Sequence, residues 1–358
     1  MFNVSSAHKV LIVNIFGIGD VLFTTPLISN LKKTNPNIKI GYLCNRRTEP
    51  VLRADPLVNK VFIYDRDEFY KVQKQSWFKY IQKVNGLIQE IRKEKYDLVL
   101  DVSMTDLMGF ICWAAGIKER VGLAYKNRGR FLTKKLPFQG YERRHVVEYY
   151  LDLLRVLGMD PQDKNMRLTV SDDIKVWAKK FIKELGVKEI SSVVIVPGGG
   201  ASWGKEAFYK RWSPENYAKL ADKIIEMFSA DIILMGDTSE IELCQQVAST
   251  MKNRSFLACG KTNIQQFAAV AQIARLCVVN DGGPLHMAVA AGAKTVSIFG
   301  PVDEKVYGPY PVNSHIVVKS TIECRPCYHN FRKASCEHIN CLKQLSYQNV
   351  MEQVERFL

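Results

Sequence analysis

Between Ala274 and Gly308 the chain runs ARLCVVNDGGPLHMAVAAGAKTVSIFGPVDEKVYG, and few backbones satisfy such a string. Ala274–Asp281 is an apolar run of strand length that ends in a carboxylate. Gly282 and Gly283 let the backbone turn with no Cβ in the way. Pro284 suits the first helical position, where a missing N–H is no loss. Gly292 then closes the helix, as a C-terminal glycine commonly does, and a second apolar strand leads to the pair Gly300–Pro301. The N–H groups of Gly282, Gly283 and the first helical turn, together with the helix dipole, make an anion site. A nucleotide diphosphate is the obvious candidate, flanked by Asp281 and by His286 in the first turn. An ordinary βαβ connection is the bland alternative.

The rest of the chain repeats this alternation. Lys9–Phe16, Ile38–Leu43, Lys60–Tyr64 and Leu98–Val102 read as strands, with helices predicted at Val21–Thr34 and Gln75–Glu94. A further helix, His145–Leu157, ends at Gly158. Around Gln162–Asp173 the chain turns polar, which marks a domain boundary. The alternation restarts with strands at Ser192–Val196 and Asp231–Met235, and helices at Pro214–Phe228 and Ile241–Met251. Tyr347–Leu358 is a short amphipathic helix. The expected class is α/β: two Rossmann-like domains facing a cleft, with parallel sheets covered on both sides. Residues 1–165 would form the first domain and 172–345 the second.

With 358 residues the chain has room for two such cores. It holds no run of about 18 apolar residues, so no membrane span is expected. The lead-in MFNVSSAHK to Val10–Ile18 carries no cleavage-site pattern, so a cytoplasmic protein is expected. The net charge of +14 is uneven: residues 1–165 hold 27 Lys and Arg against 17 Asp and Glu, the remainder 23 against 19. Between Lys118 and Arg144 nine basic residues meet two acids, with Tyr125, Phe131, Phe138 and Tyr141 among them. Such a patch suits a phosphorylated acceptor, an anionic bilayer or nucleic acid, or is simply a solvated face.

After the first strand comes Gly17-Ile18-Gly19-Asp20-Val21-Leu22. A dinucleotide fingerprint would want a third glycine at position 22 and an acid after the second strand, and neither is present. Asp20 stands instead at the mouth of the sheet, where it reads equally as a general base for a hydroxyl or as a helix cap. A third loop, Pro197-Gly198-Gly199-Gly200-Ala201-Ser202, leads into Lys205, Lys210 and Arg211, again a phosphate-like setting but not a Walker A loop. Asp237 to Glu240, after the next strand, falls where a ribose-binding acid could lie. Cys324, Cys327, Cys336 and Cys341 have the spacing C-x2-C-x8-C-x4-C, and four such thiolates could close a structural zinc site; free thiols are the alternative.

These stretches together resemble glycosyltransferase family 9, the ADP-heptose:lipopolysaccharide heptosyltransferases and their relatives. The resemblance rests on GIGDVLFTTPLISNLKK, ERVGLAYKNRGRF with RRHVVEYYLDLLRVLG, VPGGGASWGKEAFYKRWSPENYAKLADKI and NDGGPLHMAVAAGAKTVSIFGPVDEKVYGP, in order along nearly the whole chain. It implies a GT-B fold and an inverting transfer that needs no metal or other cofactor. Asp20 would be the catalytic base. Gly199, Ser202, Lys210, Asp281, Gly282, Gly283 and His286 would hold the donor sugar and diphosphate, and Asp237 or Glu240 the ribose. Gly17, Gly19, Arg120, Arg128 and Arg130 would bind the acceptor. The last helix, 346–358, would cross back to the first domain. The implied partners are a nucleotide-diphosphate sugar (an ADP-sugar above others), an anionic glycolipid and the cytoplasmic membrane surface, with the protein peripheral on that membrane and no nucleic acid. The GGP helix start and the long basic GGGASWGK loop depart from a minimal version and leave the donor sugar open. The rival readings are a nucleotide-sugar epimerase of the same fold and a basic nucleic-acid-binding protein with a zinc knuckle; the latter leaves both glycine loops and Asp20 without a role.

Overall fold

A computed structural model describes residues 7–188 and 191–358; Met1–Ser6, on which the reading of the N-terminal lead-in partly rests, lie outside the described residues. The chain forms two compact units. One comprises the described residues up to Tyr141 together with Val146–Asn165, the other Glu142–His145 with the described part of Met166–Leu358.

The first unit holds six strands: β1 (Lys9–Asn14), β2 (Lys39–Cys44), β3 (Lys60–Ile63), β4 (Leu98–Asp101), β5 (Glu119–Tyr125) and β6 (Lys134–Phe138). The second holds β7 (Ser192–Val196), β8 (Asp231–Leu234), β9 (Phe256–Leu257), β10 (Leu276–Asn280), β11 (Thr295–Phe299) and β12 (His315–Lys319). Both sheets are parallel, ordered β3-β2-β1-β4-β5-β6 and β9-β8-β7-β10-β11-β12. This is the doubly wound order, whose direction reverses once, between β1 and β4 and again between β7 and β10. The central strands are apolar without alternation because helices cover both faces; Val10–Val13 and Val193–Ile195 are fully buried.

Differences from the sequence expectation have local causes. The helix expected over Val21–Thr34 is two helices, Ile18–Phe23 and Thr25–Thr34, joined at Thr24. Pro26 lies in the first turn of the second helix, and its missing N–H breaks the ladder there. Strands β5 and β6 replace what reads in sequence as a basic patch, because only some of their residues face the core. The last helix, Tyr347–Val354, belongs to the second unit. Val350, Met351 and Val354 are buried in one cluster with Trp212, Tyr217 and Leu220, and that apolar face fixes where the helix packs. Among the described residues no helix is long and apolar enough to cross a membrane.

Candidate active site

In an open parallel sheet, ligands bind beyond the carboxyl ends of the strands where the order reverses. In the second unit that crevice lies between the loop after β7 and the turn after β10. Asn280, 1% exposed, laces the two: its Nδ2 donates to the carbonyls of Pro197 (2.8 Å) and Gly198 (2.9 Å). Its Oδ1 accepts from the Trp212 N–H at 3.2 Å. From the neighbouring loop after β8, the buried Glu240 accepts the N–H of Gly199 (2.5 Å), the N–H of Asp237 (3.0 Å) and an Arg211 guanidinium N–H (3.3 Å). The approach is so close that a Cβ on Gly198 would fall 2.1 Å from the Glu240 carboxyl. One on Gly282 would lie 3.0 Å from the Gly200 nitrogen, whereas one on Gly283 would meet nothing within 4 Å. The glycines thus bring two loops and an acid together and leave open the space at the start of the helix Gly283–Ala290.

Into this crevice the turn Ala201–Lys210 delivers Lys210. Its Nζ lies 2.7 Å from Asp281 Oδ2 and 4.6 Å from the centroid of the Trp203 ring. Both side chains of the ion pair are almost fully buried, a placement that demands mutual compensation. An ammonium carries three donors, and the Asp281 carboxylate offsets its charge at ion-pair distance. His286 sits in the same helix, buried; burial first and the Lys210 charge second push its pKa down to about 3. Its imidazole is therefore neutral at physiological pH and adds no charge to the site.

The remaining residues expected here divide by environment. Ser202 is exposed on the loop. Gly199 commits its N–H to Glu240. Asp237 is exposed and caps a short turn, accepting from the N–H (2.8 Å) and hydroxyl (2.6 Å) of Ser239. Glu240 is the buried clamp just described. Asn280 escapes a sequence reading because it looks like the last residue of a strand, although its place directly before Asp281-Gly282 is a signal.

In the first unit Asp20 lies in the first turn of Ile18–Phe23, beyond β1 and hence beside the reversal point. Its Oδ2 accepts the Gly17 N–H at 3.2 Å, and Asn14 Nδ2 donates to its backbone carbonyl at 2.9 Å. Asp20 thus caps its helix, yet it is only half-buried. The buried phenols Tyr42, Tyr141 and Tyr150 lie within its field; burial raises all three, and the Asp20 charge adds to the rise. Asp101, at the end of β4, is buried and accepts the Ser103 N–H at 2.8 Å. Burial pushes its carboxyl up to about 6.

The three arginines assigned to the acceptor separate. Arg120 lies near the amino end of β5, at the edge opposite Asp20. It spends its guanidinium on the backbone carbonyls of Phe131, Ile117 and Lys118 and so braces its own chain. Arg128 and Arg130 follow the carboxyl end of β5 and are exposed. Asp106 holds their loop by accepting the N–H groups of Gly129 (2.8 Å) and Arg130 (3.0 Å). Those bonds keep its carboxyl below the usual range. Arg46 and Arg47, exposed after β2, stand on the same edge. They were legible as a pair of basic residues directly after a strand.

The four C-terminal cysteines differ in burial. Among the described residues no three His, Cys, Asp or Glu side chains are arranged to hold a metal. Cys341 is buried in the helix Asn340–Lys343 beside Leu342, Cys327 and Cys336 are half-buried, and Cys324 is exposed. Core packing holds one of the four thiols and solvent faces another, yet all four lie within one another's field: burial raises the Cys341 thiol, and Cys327, Cys336 and Cys324 add to the rise.

The family model for glycosyltransferase family 9 (heptosyltransferase) matches residues 84–338. The lipopolysaccharide heptosyltransferase 3 of Escherichia coli (strain K12) is 25% identical over 302 residues, which span 82% of this chain and 83% of that protein. Among solved structures, the glycosyl transferase family 9 protein from Veillonella parvula DSM 2008 superposes with a TM-score of 0.83 at 21% identity, covering 100% of this chain and 98% of that one. The E. coli ADP-heptose lps heptosyltransferase II gives a TM-score of 0.75 at 20% identity, covering 98% of each chain. The two superpositions bear on the fold alone.

Proposed function

Since this chain belongs to glycosyltransferase family 9, the heptosyltransferases, we propose that it moves heptose from ADP-heptose onto an anionic lipopolysaccharide-core acceptor, with inversion and without a metal ion. That it is a glycosyltransferase follows from the family. The ADP donor is favoured by the likeness to the E. coli ADP-heptose lps heptosyltransferase II.

The observation that carries the reading is the buried Lys210–Asp281 pair at the start of the helix Gly283–Ala290. As the acceptor oxygen bonds to the anomeric carbon, the bond from that carbon to the diphosphate oxygen breaks and negative charge collects on the leaving group. A helix N-terminus and an oriented ammonium meet that charge without reorganising, as a divalent cation does elsewhere. Asp281 holds Lys210 in place and neutralises it while the site is empty. Asp20 takes the proton of the attacking hydroxyl; its half-exposed position leaves it accessible to an acceptor, and its bond to Gly17 orients it. The exposed Arg46, Arg47, Arg128 and Arg130 on the same edge supply the positive field for an anionic acceptor. Such an acceptor belongs to a membrane, and the protein would work at its cytoplasmic surface.

The test is transfer from ADP-heptose to truncated lipopolysaccharide, in EDTA, by wild type and Asp20→Asn. The variant should fold and keep the ADP-induced rise in Tm, worth about 2.7 kcal/mol at ~100 times Kd. Its transfer rate should fall by roughly 10²–10⁴. Turnover near wild type would end the base assignment. Loss of wild-type activity in EDTA would end the metal-free reading.

A further inference from the structure

The helix Trp77–Glu94 carries an apolar stripe longer than the core beneath it. Its buried residues, Val84, Leu87, Ile88 and Ile91, all lie in its later turns. At 3.6 residues per turn Trp77 and Ile81 continue the same face toward the amino end, yet they are 60% and 49% exposed. Phe78 beside them is 69% exposed, and Tyr70, on the preceding helix Arg66–Gln75, is 55% exposed. Four large apolar side chains standing in water at one elbow are a patch, not scatter.

Two further observations say what covers it. The first is position. The carboxyl end of the helix is tied to the start of β1, where Lys9 Nζ donates to the Glu94 carbonyl at 2.7 Å. The helix is about 27 Å long at 1.5 Å per residue, against about 20 Å for β1. The Trp77 end therefore overshoots the carboxyl edge of the first sheet, the edge that carries Asp20. The second is charge. From Phe69 to Gln89 the chain has four lysines and no acid. Lys71, Lys74 and Lys79 are exposed, with Lys74 Nζ 4.7 Å from the Tyr70 ring centroid, while Lys83 pairs with Glu68. Aromatic rings fringed by lysines, with stems along apolar surface and heads in water, suit the headgroup layer of an anionic bilayer. A second copy of the patch would set lysines against lysines.

We propose that this elbow is a membrane-docking wedge. It places Tyr70, Trp77, Phe78 and Ile81 among the headgroups of an anionic bilayer, with Lys71, Lys74 and Lys79 on lipid phosphates. Docked in this way, the Asp20 edge faces the surface from which a lipid-linked acceptor projects. The wedge takes its purpose from the proposed acceptor, but its binding does not depend on donor chemistry.

The test is co-sedimentation of the full chain with vesicles of phosphatidylethanolamine and phosphatidylglycerol, and with phosphatidylcholine vesicles as the uncharged control. Wild type should bind the anionic vesicles and release them as salt rises. The variant Trp77→Ser/Phe78→Ser changes only exposed side chains and should bind at least about tenfold more weakly. Lys71→Gln/Lys74→Gln/Lys79→Gln should lose the preference for anionic lipid. Both should keep the ADP-induced rise in Tm and full transfer to a delipidated, water-soluble acceptor. Failure of wild type to bind anionic vesicles, or equal binding by the Trp77/Phe78 variant, overturns the wedge. A concentration-dependent dimer that this variant dissolves, with vesicle binding unchanged, assigns the patch to a second copy instead. Vesicle binding in a protein that transfers no sugar would retire the proposed function and leave the wedge standing.

Discussion

The two sheets share one strand order, and their carboxyl edges are built in opposite ways. Beyond β7, β8 and β10 the charges are matched and mostly buried, Lys210 with Asp281 and the half-buried Arg211 with Glu240, between glycines that allow backbone to touch carboxyl. Beyond β2 and β5, Arg46, Arg47, Arg128 and Arg130 stand in solvent, and Arg46 and Arg47 meet acids only at 3.5 and 4.0 Å. The first construction is preorganised: it suits a small, invariant diphosphate and gives little when crowded. The second is adaptable and suits a larger anion whose charges vary in position. One topology thus supports a rigid pocket or a pliant rim, depending on whether its loops carry glycines and buried acids.

The contrast is broken most severely at Lys210. Lys210→Met strands Asp281 as a lone buried charge and should cost about 3–5 kcal/mol of stability, together with the ADP-induced rise in Tm. Adding Asp281→Asn should restore most of the stability and none of the ADP response, as denaturant melts with and without ADP would show. Recovery of ADP binding in the double variant would mean that the pair is structural only.

Gly198→Ala comes next. Its Cβ would collide with Glu240, so the loop must shift, at a cost of roughly 1–3 kcal/mol. ADP affinity measured by calorimetry should fall with it. Unchanged affinity would show that the pocket is less rigid than its packing implies.

A buried titratable group in each unit sharpens the comparison through pH. Asp101 in the first unit has a folded pKa raised from 3.8 to about 6, so the native state holds its proton longer and stability falls as pH rises through that window. His286 in the second has a folded pKa lowered from 6.5 to about 3, so the unfolded state takes the proton first and stability falls as pH drops below 6.5. Asp101→Asn, which can keep the bond from Ser103, should remove the first loss, and His286→Gln the second. Each effect is on the order of 2 kcal/mol. Chemical denaturation from pH 4 to 8 reads both, and a variant with the wild-type profile would refute its assignment.

The smallest effect on stability is expected at the rim. Arg128→Ala/Arg130→Ala should change stability by no more than about 0.5 kcal/mol, raise KM for the acceptor several-fold and flatten its salt dependence. Donor KM should hold. An acceptor KM that does not move would take these arginines out of the site.

The parts of the molecule that were legible in sequence are those governed by local rules. The strand–glycine–helix signature at Asp281–Ala290 appears as read because turn chemistry and Pro284 act over a few residues. Strands β5 and β6 were hidden because partly exposed strands carry charges that mask their buried positions. Arg120 and Arg128 look alike in sequence, and only the direction of β5 separates a brace at one edge from an exposed cation at the other. Glu240 and Asn280 could not be recognised as clamps, since their partners lie 41 and 82 residues away in the chain.

By itself the sequence determined two doubly wound α/β units, a glycine-built strand-to-helix turn and the presence of Asp20, Lys210 and Asp281, because periodicity and turn chemistry are properties of neighbouring residues. The tertiary structure alone decided which charges are spent inside the protein and which face a ligand. It also sent the last helix to the second core, buried one cysteine of the C-terminal four while exposing another, and left the stripe at Trp77 without a core to cover. Each of these depends on burial and on distance between residues far apart in the chain, and no local pattern encodes either.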